Sequence, residues 1–411
     1  MRLLISFLIC ITAIVVFYKD SIVSRFNTQL YIPLLGNSLT SNITAPSSAP
    51  SATFLGLPVV PPSFDSVAST TSDMSVSRAI RQAFLAIEQS EGVGARVRRS
   101  IGTAKLRNFS PFLMLDHFSV SPGAGFPDHP HRGQETITYI LNGAVDHEDF
   151  AGNKGTIEAG DLQFMTAGKG IMHAEMPRQN ADGSANEGMQ LWVDLPEKLK
   201  KCEPRYRDLR ASEIPNIDID DGKVHIKIIS GQSHGVDSVK DLAYTPVWIL
   251  DITIRPGGKI TQPLPEGWNA FAYTLEGSTT FGVGKDQTTV GRFHNVVFEQ
   301  KGDSISAEVS KDAKEQSRLC KLSPPNYQSL SYTTSTIKFF RTFSLLNIEL
   351  MQPDPVLVAG LPLDQKVVQY GPFVLNTQEE VYQAMLDYQS HANGFERAAG
   401  WRSEIGKSMA H

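Results

Sequence analysis

Two short pairs of metal-binding side chains constrain this sequence more than any other feature. His129 and His131 are separated by one residue, and so are His173 and Glu175. The segments around both pairs have the character of β-strands, in which side chains at positions i and i+2 leave the same face. If the two strands lie side by side, three imidazoles and one carboxylate converge on one point. The spacing therefore predicts a metal site.

The chemistry of these four side chains restricts the choice of metal. Three imidazoles and one carboxylate, with positions left to water, suit Fe(II), whereas thiolate-rich tetrahedral sets suit structural zinc. Mn, Ni, Cu and Zn remain competitors for such a site. A single His-x-His pair is often an ordinary polar pair beside a loop. Two pairs joined by a glycine-rich segment, which is typical of a hairpin, favour the metal site.

Four longer segments carry a resemblance to a known family. They are EQSEGVGARVRRSIG (Glu88–Gly102), FPDHPHRGQET (Phe126–Thr136), GDLQFMTAGKGIMHAEMP (Gly160–Pro177) and QLWVDLP (Gln190–Pro196). These segments resemble the pirin family, a branch of the cupin superfamily, and the resemblance extends over residues 77–406. Pirins hold iron with three histidines and one glutamate. The resemblance therefore implies one Fe²⁺ per chain, held by His129, His131, His173 and Glu175.

The distribution of short apolar runs predicts an all-β chain. These runs are alternating or fully apolar, and Gly, Pro and Asp punctuate them at the spacing of a sandwich or barrel. They fall into two sets, and the resemblance implies two tandem cupin (jelly-roll β-barrel) domains. We expect a metal-binding N-terminal cupin over residues 77–200, a connection over 201–223 and a second cupin over 224–400. Helical periodicity over residues 377–389 predicts a C-terminal helix.

The second cupin lacks the metal-binding pattern of the first. Its segment 257–277 occupies the place of the first histidine pair, and Pro263, Leu264, Pro265 and Glu266 stand where the histidines stood. His294 is the only histidine well placed in this second set of strands, and its position is more typical of a polar residue at a strand end. We therefore expect one metal per chain, in the N-terminal cupin.

Three polar residues near the predicted ligands are candidates for orienting those ligands or a bound oxygen species. Arg132 and Glu135 flank the first histidine pair, and Gln190 lies on a later strand. Polar side chains behind a set of metal ligands commonly hold the ligands in place through hydrogen bonds. The alternative for Arg132 and Glu135 is an ion pair with each other.

Three segments fall outside the predicted barrels. Residues 1–25 include an almost unbroken apolar run that is typical of a signal peptide or a membrane anchor, with a wrongly chosen start codon as the third alternative. Residues 26–76 are rich in Ser, Thr, Pro and Ala and predict a disordered linker. We expect the functional form to start near Met74 or to be a soluble domain behind this linker. Residues 321–352 interrupt the second cupin where pirin-like sequences run almost directly on, and our hypothesis for this insertion is a translated intron.

Charge and cysteine usage restrict the partners and the compartment. The net charge of -5 gives no indication of a nucleic-acid surface, so we expect no direct binding to nucleic acid. Three scattered cysteines form no disulfide framework and indicate a reducing compartment. We therefore expect the cytoplasm, the nucleus or both. A genuine signal or anchor in residues 1–25 would instead make the protein membrane-anchored or secretory, and that segment is the only expected membrane contact.

The resemblance implies two alternative functions. The first is an Fe(II)-dependent dioxygenase of the quercetin 2,3-dioxygenase type, which would take a flavonol-like small molecule and O₂. The second is a non-catalytic, iron- and redox-sensing nuclear transcription co-regulator, whose partner would be a transcription factor. An enclosed apolar pocket above the metal would favour the enzyme, and a flat, charged rim would favour the regulator.

Overall fold

The computed structural model describes residues 75–121, 123–313 and 355–407. Within these ranges the chain forms antiparallel β-strands and one α-helix near its end. The strands build two barrels, and each barrel combines a seven-stranded sheet with a four-stranded sheet. The expectation of an all-β chain with two tandem cupin domains is confirmed.

The first barrel is built from eleven consecutive strands. They are β2 (Ile87–Glu91), β3 (Ala95–Ile101), β4 (Phe112–Val120), β5 (Phe126–His131), β6 (Gln134–Asn142), β7 (Ala144–Asp149), β8 (Lys154–Glu158), β9 (Leu162–Thr166), β10 (Ile171–Pro177), β11 (Asn186–Asp194) and β12 (Arg205–Leu209). The large sheet has the order β12-β9-β6-β11-β4-β3-β2, and the small sheet has the order β5-β10-β7-β8.

The second barrel repeats this arrangement. Its strands are β1 (Ile80–Leu85), β13 (Asn216–Ile219), β14 (Val224–Ser230), β17 (Val247–Ile254), β18 (Lys259–Pro263), β19 (Asn269–Thr274), β20 (Thr279–Phe281), β21 (Thr288–Val290), β22 (His294–Phe298), β23 (Ser304–Glu308) and β24 (Pro355–Gly360). The large sheet has the order β1-β22-β19-β24-β17-β14-β13, and the small sheet has the order β18-β23-β20-β21. Two short hairpins complete the fold: β15 (Gln232–Ser233) with β16 (Val236–Asp237), and β25 (Val368–Tyr370) with β26 (Phe373–Leu375).

The largest apolar core joins the two large sheets. It draws residues from both barrels, among them Phe112, Leu115, Ile137, Leu191, Val247, Phe271, Tyr273 and Val356. Because one face of each large sheet lines its own barrel and the other face packs in this shared core, the central strands are buried on both sides. The first seven residues of β6 are all buried for this reason.

The first described strand lies in the second barrel. β1 pairs with β22 from Ile80 opposite Phe298 to Leu85 opposite His294. We expected residues 80–85 in the first cupin, and the structure instead places them at the edge of the second. The reason is that β22 would otherwise present an unpaired edge, which a short strand of alternating exposure covers.

The C-terminal segment follows the second barrel in the sequence but packs against the first barrel. The predicted helix is present as α1 (Gln378–Ser390), and Thr377 caps it by accepting a hydrogen bond from the backbone N–H of Glu380 at 3.1 Å. Apolar residues of this segment pack on Met172 of the first barrel; they include Phe373, Leu375, Val381, Ala384 and Phe395. Residues 368–398 therefore cover the first barrel, although the sequence analysis grouped them with the second.

Some expectations concern residues outside the described ranges. These are the apolar segment 1–25, the linker up to residue 74 and the insertion 321–352. Within the described ranges, no helix combines the length and the apolar character needed to cross a bilayer.

Candidate metal centre

The two predicted ligand strands are neighbours in the small sheet of the first barrel. β5 and β10 run antiparallel, and His129 lies directly opposite His173. His131 follows on the same face of β5, two residues later. One ring nitrogen from each of the three histidines lies within 4.8 Å of the others. The structure thus brings the three predicted imidazole ligands together.

The buried histidines have the protonation state that a metal requires. His131 and His173 are almost fully buried. Burial lowers the pKa of both rings well below the usual value, and the neighbouring His129 lowers it further. Both rings are therefore neutral, and each keeps a lone pair on one of its two nitrogens.

The ring nitrogens also leave room for a cation. Nε2 of His131 and both ring nitrogens of His173 are buried without a hydrogen-bond partner among the described residues. Such orphaned polar atoms are costly unless something else satisfies them. Nδ1 of His129 lies 2.8 Å from the carbonyl oxygen of Pro127, which accepts its proton and leaves Nε2 free to coordinate. The donor set fits a divalent transition metal.

Glu175 lies on β10 two residues after His173, and its carboxylate lines the same cavity. It is not one of the three residues in the tight group of ring nitrogens found among the described residues. Nε2 of Gln190 donates to the two carboxylate oxygens of Glu175 at 3.1 and 3.0 Å. Oγ1 of Thr138 donates to the same carboxylate at 3.2 Å. The structure therefore places Gln190 in contact with a predicted ligand.

Trp192 is a residue of this site that the sequence analysis did not single out. Its Nε1 donates to Oε1 of Gln190 at 2.8 Å, which fixes the orientation of that amide. Its ring also packs edge-on against His131 with a centroid separation of 5.1 Å. The signal was present in the sequence, because residues 190 and 192 leave the same face of one strand.

His129, His131 and Glu175 line a cavity of about 460 Å³. Its wall is mostly apolar and includes Val93, Val97, Met114, Phe118, Phe126 and Trp192. One charged cluster also lines it: Nε and Nη2 of Arg99 donate to Asp116 at 2.8 and 2.6 Å, and Nη2 donates to Glu91 at 2.7 Å. The cavity is of the size and composition that small-molecule sites usually have.

Sequence comparison identifies the family. The Pirin family model matches residues 94–193, and the model of the pirin C-terminal cupin domain matches residues 249–319 and 344–394. A pirin-like protein of Solanum lycopersicum is 44% identical over 336 residues, which cover 82% of this chain and 100% of the relative. Pirin of Homo sapiens is 42% identical over 334 residues, which cover 81% of this chain and 100% of the relative. The chain belongs to the pirin family.

Comparison of structures agrees with the tandem fold of this pirin-family chain. A quercetin 2,3-dioxygenase from Acinetobacter baumannii superimposes with a TM-score of 0.62 at 26% sequence identity. The similarity covers 77% of this chain and 98% of that protein. Both cupin barrels therefore have counterparts in a protein that carries this enzyme name.

Arg132 does not contact the predicted ligands in this pirin fold. Its Nε donates to the carbonyl oxygen of Lys169 at 2.6 Å, Nη1 to Asp387 at 2.7 Å and Nη2 to the carbonyl oxygen of Asn393 at 2.6 Å. Its guanidinium also lies over the ring of Phe395. Arg132 therefore ties the turn after β5 and the backbone at Lys169 to the C-terminal segment.

Glu135 is likewise placed away from the ligands, and it is not paired with the arginine three residues before it. It accepts hydrogen bonds from Thr166 at 2.7 Å and from the backbone N–H groups of Tyr244 and Thr245 at 3.0 and 3.1 Å. Burial raises the pKa of Glu135, and these hydrogen bonds oppose that rise. Its role in the structure is to connect the first barrel to the chain that enters the second.

His294 begins strand β22 of the second barrel, as expected of a polar residue at a strand end. Its Nδ1 lies 3.0 Å from the carbonyl oxygen of Gly291 and 3.2 Å from that of Arg292. Within the described ranges, the only group of three or more potential ligands in metal-binding proximity is the histidine group of the first barrel.

Proposed function

We propose that this pirin-family protein is an Fe(II)-dependent dioxygenase of the quercetin 2,3-dioxygenase type, which acts on a flavonol-like molecule and O₂. The observation that carries the proposal is the group of three histidines, of which His129 and His131 line a mostly apolar cavity of about 460 Å³ together with Glu175. A flat, charged surface would have favoured a purely regulatory role. The structural similarity to a protein named quercetin 2,3-dioxygenase supports the same proposal.

The metal in this proposal is one iron ion per chain, bound by His129, His131, His173 and Glu175. Imidazole and carboxylate donors suit Fe(II), although Mn, Ni, Cu and Zn bind similar sets. When bound, the metal supplies Lewis-acid and redox chemistry to the substrate and O₂. The cytoplasm or the nucleus is the compartment that we propose for this chemistry.

The carboxylate of Glu175 is held in one orientation by its neighbours. Gln190 donates to both of its oxygens, and Trp192 holds the far end of the Gln190 amide. Thr138 contributes a further hydrogen bond from β6. Because three side chains on the large sheet fix this carboxylate, it keeps its position whether or not substrate is present.

The side chains that line the rest of the cavity suit a mostly apolar molecule with hydroxyl groups. Apolar side chains such as Phe118 and Met114 hold the ring system and exclude water from the reacting end. The charged cluster of Glu91, Arg99 and Asp116 contains two carboxylates and one guanidinium, so it has a net negative charge. It would accept hydrogen bonds from phenolic hydroxyl groups and would repel anionic substituents.

The test combines metal analysis with oxygen uptake. Purified wild-type protein should contain about one iron per chain and consume O₂ with at least one member of a flavonol panel. His173→Ala removes one ligand and should lose both properties. His294→Ala is the matched control in the second barrel and should keep both.

Two results would overturn the proposal in different ways. Full iron occupancy in His173→Ala, or a halved iron content in His294→Ala, would refute the single site in the first barrel. Full iron occupancy in the wild type without O₂ uptake on any flavonol would refute the enzyme. That second outcome would favour the iron-sensing co-regulator with a transcription factor as its partner.

A further inference from the structure

Gln134 touches a proposed metal ligand from behind. It is the first residue of β6 and is fully buried. Its side-chain nitrogen Nε2 lies 2.8 Å from Nδ1 of His131, on the side of the ring away from the unpartnered Nε2 of that histidine. The side-chain oxygen of Gln134 is buried without a hydrogen-bond partner among the described residues. The donor nitrogen of this amide is therefore hydrogen-bonded, and its acceptor oxygen is not.

The orientation of this amide decides which nitrogen of His131 carries the proton. When the amide nitrogen faces the ring, it donates to Nδ1, so the single proton of the neutral imidazole must reside on Nε2. A protonated Nε2 cannot coordinate a metal. When the amide is turned by a half rotation, its oxygen accepts a proton from Nδ1, and the lone pair of Nε2 becomes available. Metal binding through Nε2 therefore requires the second orientation.

No second hydrogen bond holds the amide in the orientation that the structure shows. Its nitrogen bonds to His131, and its oxygen meets no partner among the described residues. The backbone of Gln134 is held by Ala167, whose N–H donates to the Gln134 carbonyl at 2.9 Å, so the side chain turns about a fixed base. The proton on His131 and a bound cation are then what select the orientation.

We propose that Gln134 is a positioning residue for the metal: its amide turns over when the metal binds and then holds His131 in the tautomer that coordinates through Nε2. His129 has no need of such a device, because the Pro127 carbonyl fixes its tautomer. His173 has no hydrogen-bond partner at either nitrogen among the described residues. Gln134 is thus the side chain through which the protein controls the coordinating tautomer of His131. This inference rests on the proposed metal site and is independent of the substrate.

The experiment measures metal affinity and tautomer rather than turnover. Zn(II) serves as a diamagnetic probe, with its affinity measured by competition with a chromophoric chelator. Gln134→Met removes the hydrogen-bonding group at similar volume, and it should weaken Zn(II) binding about 10- to 100-fold, the usual cost of losing such a partner. Gln134→Glu provides an acceptor that needs no turning, so it should bind Zn(II) at least as tightly as the wild type.

The matched control is Gln163→Met. Gln163 is a second buried glutamine of the same barrel, and its side chain donates to Asp208 at 3.2 Å instead of contacting a proposed ligand. This variant should bind Zn(II) as the wild type does. Thermal unfolding of each metal-free variant checks that all of them fold.

A spectroscopic measurement tests the tautomer directly. Long-range ¹H–¹⁵N correlation spectra of histidine-labelled protein should show the His131 proton on Nε2 without metal and on Nδ1 with Zn(II). Equal affinities for Gln134→Met and Gln163→Met, or a proton on Nε2 in the Zn(II) form, would overturn the inference. If His173→Ala also left Zn(II) affinity unchanged, the proposed metal site itself would fail, which separates the two ideas.

Discussion

Replacing Lys200 with Met tests how the turn between β5 and β6 is joined to the rest of the protein. Lys200 is only 2% exposed, and its Nζ donates to Asp194 at 2.5 Å. The same Nζ donates to the carbonyl oxygens of Gly133 at 2.9 Å and Val374 at 3.1 Å. One ammonium group therefore links the end of β11, the loop that follows the ligand strand β5, and the C-terminal hairpin.

The expected loss of stability in Lys200→Met follows from the burial of the Lys200–Asp194 ion pair. Burial lowers the pKa of Lys200 and raises that of Asp194, so each charge depends on the other to remain inside. Removing one partner of a buried pair costs about 3–5 kcal/mol, because an uncompensated charge remains. With about 290 described residues and an unfolding entropy of about 2.1 cal/mol/K per residue, the Tm should fall by about 5–8 °C.

Lys169→Met is the matched control for this measurement. Lys169 also pairs with a carboxylate at 2.6 Å, that of Glu203, but the two side chains are 39% and 78% exposed. An exposed pair contributes about 0–1 kcal/mol, so the Tm should fall by less than about 2 °C. Differential scanning calorimetry of both variants decides the question. Equal Tm values for Lys200→Met and Lys169→Met would refute the reasoning.

Three further predictions concern charge at and around the site. Glu175→Gln removes one negative charge and should disfavour Fe(III) relative to Fe(II), so the midpoint potential measured by redox titration should rise; an unchanged or lower potential would argue against Glu175 as a ligand. Burial, aided by two nearby arginines, lowers the pKa of His117 to about 3. Below the unfolded pKa of about 6.5 the unfolded chain binds a proton that the buried ring does not. The free energy of unfolding should therefore fall by about 1.4 kcal/mol per pH unit as the pH drops from about 6.5 towards 3. Urea titration should find no such contribution in His117→Gln. Arg132→Met breaks a buried ion pair with Asp387 and should cost about 3–5 kcal/mol and loosen iron retention, whereas Arg178→Met, at an exposed pair, should leave the stability almost unchanged.

The histidine group could be predicted because its geometry is local. His129 and His131 share a face through the two-residue period of a strand, and this period holds in any sheet. The pairing of β5 with β10 then required only that two strands joined by a glycine-rich segment be neighbours in the small sheet. Gln190 lies on β11 of the large sheet and Glu175 on β10 of the small sheet, so their contact depends on how the two sheets face each other. The local rule indicates only that Trp192 shares a face with Gln190.

The contacts of Arg132 and Glu135 could not be predicted in the same way. Arg132 finds its partner Asp387 across 255 residues, and Glu135 finds the backbone N–H of Thr245 across 110 residues. Proximity in sequence suggested an ion pair between the two or a contact with the metal ligands. Tertiary packing decided instead, because each side chain is buried and had to be satisfied by whatever group the fold placed beside it.

The ligand strand β5 shows why such distant contacts matter for the site. It is an edge strand of the small sheet, and its prolines at 127 and 130 cannot donate to a neighbouring strand. An edge strand with few backbone hydrogen bonds is a poor support for two metal ligands. The residues on either side of the ligand pair compensate: Asp128 accepts a hydrogen bond from Oγ of Ser403 at 2.5 Å, and Arg132 is bound to Asp387. Because both anchors come from the last part of the described chain, the arrangement of the two proposed ligands on β5 is complete only after the C-terminal segment has packed onto the first barrel.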